Sequence, residues 1–296
     1  MRLIRFDPAA HKLTPLKLSN WADEKKAGGA DWTVALPDNE KSPTPCDRHV
    51  YETFAFAPDQ KAIFICNGAN AGAARDGQVV GHVLTHDTWR FDLEKKSWSK
   101  VESKQNPENM LEDGMAYCPD TKSIVLAGHG KIWILDVTTG QWRKAKNNLP
   151  RNHMGISVVY DAPRKRMLLA GGGNYGTWNV KSGGFNCVYA FDPRTETVSK
   201  LADCPTALKG ADLAYDSRLD LFVTVVQFNK DDSAEQPSGM FSYDPKKDAW
   251  NELKVPLPEV PDPSLHWTRL CYDEAHDCFI ALGLAKFLAF RYVPAK

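Results

Sequence analysis

The stretch Phe91-Asp92-Leu93-Glu94-Lys95-Lys96-Ser97-Trp98 decides the fold, because its six-residue step from Asp to Trp recurs along the chain. Each copy has an aromatic or apolar strand end, a polar turn and a second strand, which together are typical of a β-hairpin. The other four copies run from Asp7 to Leu13, Asp136 to Trp142, Asp192 to Val198 and Asp244 to Trp250. One hairpin that occurs five times predicts a repeat architecture.

A second hairpin also occurs five times, and it precedes the first one within the repeat. Its copies are Phe56–Phe64, Tyr117–Val125, Tyr160–Leu168, Tyr215–Phe222 and Tyr272–Phe279. The two hairpins make a unit of four strands, which we call a, b, c and d. The Asp that marks the end of strand c recurs every 44 to 56 residues between Asp92 and Asp244. Four strands in a period of this length predict the blades of a β-propeller.

Two residue types of the repeat have a predicted structural role. We expect the landmark Asp to cap backbone N–H groups of the turn that follows it. We expect the Trp at the start of strand d to pack between neighbouring blades, because a single four-stranded sheet cannot bury both of its faces. The predicted inter-blade tryptophans are Trp98, Trp142 and Trp250.

The chain resembles the kelch-repeat family of β-propellers, and four segments carry the resemblance. These are the run at 87–92 with Trp98, the run at 243–250, the segment Leu149-Pro150-Arg151-Asn152-His153 and the triplet Gly171-Gly172-Gly173. The double glycine that usually ends strand b in this family survives only in that triplet. The resemblance implies an all-β, kelch-type propeller, and it does not fix a function.

We expect a single propeller domain over residues 1–296. Its predicted parts are strands c and d of a terminal blade at 1–17, a long loop at 18–47, blades at 48–104, 105–146, 147–201 and 202–254, and strands a to c of the last blade at 255–296. This favours six blades of four antiparallel strands with an incomplete terminal blade. Five blades with a redundant strand are the alternative, and Asp31–Leu36 could add a strand.

Composition limits the class of partner. The 37 basic residues equal the 37 acidic residues, which argues against a nucleic-acid-binding protein, because such proteins carry a basic excess on one face. No apolar run approaches the roughly 18–20 residues of a membrane span. The first residues contain no apolar signal-peptide core. We therefore expect a cytoplasmic protein if the chain is complete, and an extracellular one if it is an excised domain.

The seven cysteines show no CxxC spacing, so the sequence predicts neither a zinc site nor any other cofactor. Most of them lie in apolar strand-like stretches and are expected to be buried as small hydrophobic residues. Cys271 and Cys278 would face each other across a hairpin if the turn were Asp273–His276. A disulfide between them is then a second possibility.

The loops that join strands b to c and strands d to a vary most in length, and both types lie on one face of a propeller. Long loops on a rigid scaffold are where binding residues concentrate. Strand a lines the central channel, so the residues just before it should surround the channel mouth on this face. The predicted ligand contacts there are Arg48, His49, Glu112, Arg151, His153, Lys209, His266 and Arg269. Further contacts expected from the b–c loops are Asn67, Tyr175 and Trp178.

Cations and histidines at such a mouth would suit an anionic ligand, such as a carboxylate or an acidic sugar. Alternatively, the same residues tie neighbouring blades together, or the three histidines bind a metal.

Three functions are compatible with this sequence. The first is a non-catalytic recognition propeller for a protein or glycan ligand. The second is a carbohydrate-active enzyme similar to the kelch-type sialic acid mutarotases. The third is a structural domain of a longer extracellular protein.

Overall fold

The computed structural model describes residues 4–7, 12–15, 45, 48, 50–71, 74–75, 78–79, 82–108, 112–174, 184–208, 210–226, 239–254, 269–282 and 287–292. The chain forms two compact units, which are residues 1–112 with 135–143, and residues 113–134 with 144–296. Apart from one short 3-10 helix at Pro58–Gln60, all regular elements in these ranges are β-strands. The all-β prediction is therefore confirmed, and within the same ranges no helix is long and apolar enough to cross a membrane.

The first unit contains one four-stranded sheet and three short two-stranded sheets. The four-stranded sheet has the order β10-β9-β4-β3. The strands of this unit are β1 (Ile4–Asp7), β2 (Lys12–Pro15), β3 (Phe54–Ala57), β4 (Ala62–Cys66), β5 (Ala69–Ala71), β6 (Ala74–Arg75), β7 (Gln78–Val79), β8 (His82–Leu84), β9 (Thr88–Asp92) and β10 (Ser97–Val101). The pairs β1-β2, β5-β8 and β6-β7 each form a separate small sheet.

The remaining strands follow one another in consecutive antiparallel sheets. They are β11 (Gly114–Cys118), β12 (Ser123–Gly128), β13 (Lys131–Asp136), β14 (Gln141–Lys144), β15 (Met154–Asp161), β16 (Arg166–Gly173), β17 (Val188–Asp192), β18 (Thr197–Leu201), β19 (Leu213–Asp216), β20 (Leu221–Val226), β21 (Gly239–Asp244), β22 (Ala249–Leu253), β23 (Arg269–Asp273), β24 (Cys278–Leu282) and β25 (Phe287–Phe290). Three sheets have four strands, β11 to β14, β15 to β18 and β19 to β22, and β23 to β25 form a sheet of three. Residues 135–143, which include β14 up to Arg143, belong to the first unit.

The described strands thus form five blades in a β-propeller arrangement, four with four strands and one with three. The favoured count of six is corrected to five, because β1 and β2 form only a two-stranded sheet in the part of the chain that the structure describes. Their register nevertheless matches strands c and d, since Phe6 lies opposite Leu13 as Phe91 lies opposite Trp98. The domain boundaries stay a prediction, and the proposed strand at Asp31–Leu36 lies outside the described residues.

The landmark Asp caps its turn as predicted. Asp92 Oδ1 accepts the backbone N–H groups of Glu94 at 3.0 Å and Lys95 at 2.9 Å. The same pair of hydrogen bonds forms at Asp136 and Asp244, and also at Asp216 and Asp273, which end strand a of the fourth and fifth blades. The carboxylate satisfies two donors that a tight turn would otherwise leave without a partner, so the turn is specified by local sequence.

A second local bond closes three of the hairpins. Tyr215 donates its hydroxyl to Asp220, five residues later, at 3.0 Å, and Asp220 has a left-handed backbone with φ 54°. Tyr243 with Asp248 and Tyr272 with Asp277 repeat this bond at 2.7 Å. The strand-end aromatic thereby holds the turn residue that bends the chain.

The tryptophan prediction is confirmed for Trp142 and Trp250, whereas the ring contact of Trp98 is with Phe91 of its own blade. In the second unit, Trp250 of the fourth blade donates from Nε1 to the Ala202 carbonyl, which follows the third blade, at 3.0 Å. In the first unit, Trp142 donates to the Thr88 hydroxyl at 2.8 Å. Each indole therefore reaches from strand d of its own blade to the blade before it.

The hairpin disulfide is not formed. Cys271 lies opposite Ile280 and Cys278 lies opposite Asp273, so the two cysteines do not face each other. The turn is one residue later than expected, which shifts the register of the pair and leaves both thiols free.

Candidate functional site

Arg48, predicted at the channel mouth, is held inside the first unit. Its side chain has no exposed surface, and its guanidinium forms an ion pair with the Asp87 carboxylate. The second guanidinium nitrogen donates to the other Asp87 oxygen at 3.3 Å, and Nη1 also donates to the Thr85 hydroxyl at 2.9 Å. Arg48 thus fixes the segment before β3 to the segment that enters β9.

The Asp87 carboxyl shows the electrostatic result of this arrangement. Burial raises its pKa. The hydrogen bonds and charge of Arg48 and the hydrogen bond from the Trp89 indole, at 2.7 Å, lower the pKa by more than burial raises it. The net effect is a pKa below the ordinary value, so the carboxylate stays ionised. Sequence reasoning missed Asp87, although its place directly before strand β9 puts it at the same end of the blade as Arg48.

Asn67, predicted as a loop contact, is fully buried at the end of β4. Its backbone is left-handed, with φ 55°, and its N–H donates to the Asp87 carbonyl at 3.0 Å. Its side-chain amide donates to the Glu108 carbonyl at 3.4 Å. Asn67 therefore shapes the start of the b–c loop from within.

Glu112 lies at the end of the first unit and is 1% exposed, with a left-handed φ of 59°. Its charge acts on Tyr51, whose pKa is raised by burial first and then by Glu112 and Glu52. Three ionisable side chains of the first unit are therefore electrostatically coupled before strands β3 and β11. The structure gives Glu112 a buried setting, which the sequence alone could not establish.

His153 is fully buried in the second unit. Its Nδ1 lies 2.7 Å from the Gly171 carbonyl, and because a carbonyl only accepts, Nδ1 carries the proton. The ring packs edge-on against Phe185 and Tyr189, with centroid distances of 5.2 and 5.8 Å. Burial lowers its pKa, the Gly171 bond opposes this, and the charge of Arg151 lowers it further. The imidazole is thus a neutral packing group.

The glycine triplet explains why His153 fits. A Cβ on Gly172 would lie 3.2 Å from the His153 Cβ, and Gly172 has φ 85°. A Cβ on Gly171 would lie only 2.3 Å from the Leu208 Cβ. Only glycine allows the end of β16 to approach both segments.

Arg151 differs from the other mouth residues because it is exposed. Its guanidinium carbon lies 5.5 Å from the centroid of the Phe185 ring, a distance typical of a cation–π contact. The Phe185 ring thus lies against the guanidinium, while Arg151 as a whole is exposed to solvent. Among the predicted residues that the structure describes, Arg151 is best placed to meet a ligand.

Arg269 joins two blades of the second unit. Its Nη1 lies 3.3 Å from Asp212 Oδ1, and the Leu270 N–H donates to Asp212 Oδ2 at 3.2 Å. Burial raises the pKa of the Asp212 carboxyl, and the neighbouring Arg269 opposes the shift without reversing it. Asp212 directly precedes strand β19, and this position before strand a is the signal that could have identified it.

Asp113 occupies the same position before β11 in the second unit, and sequence reasoning missed it as well. It is fully buried and lies directly against Gly128, where an added Cβ would be 1.6 Å from its carboxylate oxygen. His129 Nε2 is 3.9 Å from Asp113 Oδ1, and the side chain of His129 is 19% exposed. Acidic residues before strand a are therefore a recurring structural element of this chain.

The predicted contacts His49, Lys209, His266, Tyr175 and Trp178 lie outside the described residues. Of the three histidines in the predicted ring, only His153 can be placed, and it packs inside its blade. Within the described ranges no group of three metal-ligating side chains comes together. No protein-family model matches this chain, and no curated protein matches it either.

Proposed function

We propose that this chain is a kelch-type recognition propeller that binds an acidic group of a protein or glycan ligand through the face carrying the b–c and d–a loops. A propeller fold is compatible with a binding or scaffold role. In this proposal the blades form a rigid frame, and ligand contact is made by the loops and by side chains at their bases.

One observation carries the proposal. Arg48, His153 and Arg269 already have partners inside the fold, namely Asp87, the Gly171 carbonyl and Asp212. A general acid or base must be within hydrogen-bond reach of the substrate proton that it transfers. Residues that hold loop segments together support a binding surface better than they support an acid–base pair.

Arg151 supplies the proposed contact. Its exposed guanidinium is steadied by the Phe185 ring, so little side-chain freedom is lost when a ligand binds. Arginine offers parallel N–H donors that match both oxygens of a carboxylate. This favours ligands with a carboxylate, such as acidic sugars or acidic peptide segments.

An array of acidic and neutral glycans and peptides, exposed to the labelled chain, tests the proposal. We expect binding to carboxylate-bearing ligands that weakens by about tenfold or more in Arg151→Ala. Arg194→Ala is the matched control, because Arg194 is an exposed arginine in the turn between β17 and β18. Equal loss in both variants, or no binding by the wild type, would overturn the proposal.

The alternative function, an acidic-sugar mutarotase, has a separate test. Exchange between the two anomers of N-acetylneuraminic acid is measured by NMR with and without the protein. We expect no acceleration. An acceleration that disappears in Arg151→Ala would replace the recognition function with the enzymatic one.

A further inference from the structure

One turn position carries a positive charge in some blades and a negative charge in others. It is the fourth residue after the end of strand a, and in all five blades its backbone is left-handed, with φ between 44° and 54°. We call it the bend residue. It is a lysine in the first three blades and an aspartate in the last two, in chain order Lys61, Lys122, Lys165, Asp220 and Asp277.

At the junction of the second and third blades, the bend residue is a cation that meets an acid. Lys165 of the third blade forms an ion pair at 3.0 Å with Asp120, which lies in the turn between strands a and b of the second blade. The Tyr160 hydroxyl of the third blade donates to the same carboxylate. The preceding blade thus supplies the negative charge, and the following blade supplies the positive one.

The junction of the third and fourth blades has the opposite polarity. Arg164, in the a–b turn of the third blade, donates to both oxygens of Asp220, the bend residue of the fourth, at 3.0 and 2.9 Å. The Tyr215 hydroxyl donates to the same carboxylate at 3.0 Å. Hydrogen bonds from Arg164 are the main cause of a pKa of the Asp220 carboxyl well below its ordinary value. Both members of this pair are therefore charged at neutral pH.

The junction of the fourth and fifth blades repeats this second polarity. Arg218, in the a–b turn of the fourth blade, lies 2.7 Å from Asp277, the bend residue of the fifth. Tyr272 of the fifth blade donates to Asp277, also at 2.7 Å. The second unit therefore contains two kinds of junction, one with an acidic turn before a lysine and two with a basic turn before an aspartate.

Wrong neighbours would bring like charges together. A second blade stacked against the fourth or fifth would set Asp120 against Asp220 or Asp277. A third blade placed after the fourth would set Lys165 against Arg218. Selectivity for one neighbour depends on such repulsion as well as on attraction to the correct one. Blades of similar sequence need this selectivity, because misassembly is a characteristic failure of repeat proteins.

We propose that the charges of the a–b turns select the neighbour of each blade while the chain folds. An acidic turn before a lysine bend residue specifies the junction of the second and third blades. A basic turn before an aspartate bend residue specifies the next two junctions. The a–b turns lie at the opposite ends of the strands from the b–c and d–a loops, so this selection is independent of the ligand proposed above.

Exchanging the two charges of one junction in the full chain tests the proposal. Lys165→Asp gives the third blade the bend residue of the fourth and sets it against Asp120, whereas Lys165→Asn only removes the charge. Aspartate and asparagine both accept a left-handed backbone. We expect urea unfolding to give an unfolding constant about threefold larger for Lys165→Asp than for Lys165→Asn, because repulsion is added. Adding Asp120→Lys to Lys165→Asp should restore the wild-type value.

Refolding separates the selection of a neighbour from simple stabilisation. In the double variant, Asp120→Lys with Lys165→Asp, the native junction is again complementary, but the turn of the second blade now also complements Asp220 and Asp277. We therefore expect wild-type stability together with a native fraction, after dilution from urea at low salt, that is reduced by about twofold or more. Tryptophan fluorescence and gel filtration measure this fraction. The reduction should disappear in about 1 M salt, where charges are screened within roughly 3 Å.

Four results would overturn the proposal. Lys165→Asp could be as stable as Lys165→Asn, or the double variant could be no more stable than Lys165→Asp alone. The double variant could also refold as completely as the wild type, which would leave the charges a stabilising role only. A refolding difference that persists in high salt is the fourth. Arg194→Ala is the control and should refold like the wild type, because its ion pair lies within one turn.

Discussion

The first and fourth blades carry a matching row of apolar side chains on one face of the sheet, but they bury this row to different extents. The row consists of Tyr215, Phe222, Tyr243 and Trp250 in the fourth blade and of Phe56, Ile63, Phe91 and Trp98 in the first. The inner residues of the fourth blade have the third blade against them, and those of the first are half exposed. The difference shows that the inner strand of a blade is buried by packing against the blade before it, which a single four-stranded sheet cannot achieve for both of its faces.

The largest expected effect comes from truncating the buried side of this comparison. Phe222 is completely buried, so Phe222→Ala should lower the free energy of unfolding by about 3–5 kcal/mol, through lost burial and a cavity. Phe56→Ala should change it by less than about 1 kcal/mol, because the ring is already 53% exposed. Urea unfolding of both variants measures the difference, and equal losses would show that Phe56 is covered in solution.

The next effect compares a buried ion pair, Arg48 with Asp87, with an exposed one, Arg194 with Asp192. Arg48→Met leaves the mostly buried Asp87 carboxylate without its main cation and should cost about 3 kcal/mol of unfolding free energy. Arg194→Ala removes an exposed pair with Asp192 and should leave the unfolding free energy nearly unchanged, because solvent screens such a pair. Chemical denaturation of each variant is the measurement, and a small loss for Arg48→Met would contradict the structural role given to it.

Two aspartates, Asp87 in the first unit and Asp212 in the second, should make opposite contributions to the pH dependence of stability. The pKa of Asp87 is lowered by folding, so its stabilising contribution is present above about pH 3.9 and is lost as the pH falls through the folded pKa. The pKa of Asp212 is raised, so the folded state favours the protonated form and loses stability as the pH rises from about 3.9 through the raised pKa.

Unfolding free energies measured across this pH range for Asp87→Asn and Asp212→Asn separate the two groups. Asp87→Asn should remove part of the loss on the acid side. Asp212→Asn should remove the loss that the wild type shows as the pH rises. Identical pH profiles for the two variants would contradict the opposite shifts.

The smallest effect concerns the bond that closes the hairpin turn. Tyr215→Phe removes the hydroxyl bond to Asp220 and should cost about 1 kcal/mol. Phe56→Tyr, at the matching position of the first blade, should change stability by less than about 0.5 kcal/mol, because the fifth residue after it is Lys61 rather than an aspartate. Thermal unfolding of both variants checks whether the tyrosine hydroxyl stabilises the protein only where an aspartate accepts its hydrogen bond.

Local features of this fold could be predicted from the sequence, and long-range pairings could not. The Asp-capped turns and the inter-blade Trp residues follow from residues a few positions apart, and all of these predictions hold for Asp92, Asp136, Trp142 and Trp250. The partner of Arg48 is 39 residues away, and nothing local to Arg48 indicates Asp87. His153 was predicted from its position but not its burial, which depends on the bare backbone of Gly171 and Gly172.

The same limit explains the two corrections. A one-residue shift of the turn after Asp273 moves Cys278 out of line with Cys271, and side-chain pairing across strands depends on such shifts. The number of blades depends on whether β1 and β2 pair with two further strands to make a four-stranded sheet. Hairpin patterns count the hairpins present, whereas blade number depends on how the hairpins associate.

The capped turns also have a consequence for how the chain folds. Each Asp-marked hairpin pairs residues only a few positions apart, so its two strands can meet after closing a very short loop, within about 1–10 microseconds. Stacking of one blade on the next requires contacts across 40 residues or more, such as that between Trp250 and Ala202, and must come later. We therefore expect the hairpins to form first and the blades to stack on one another afterwards.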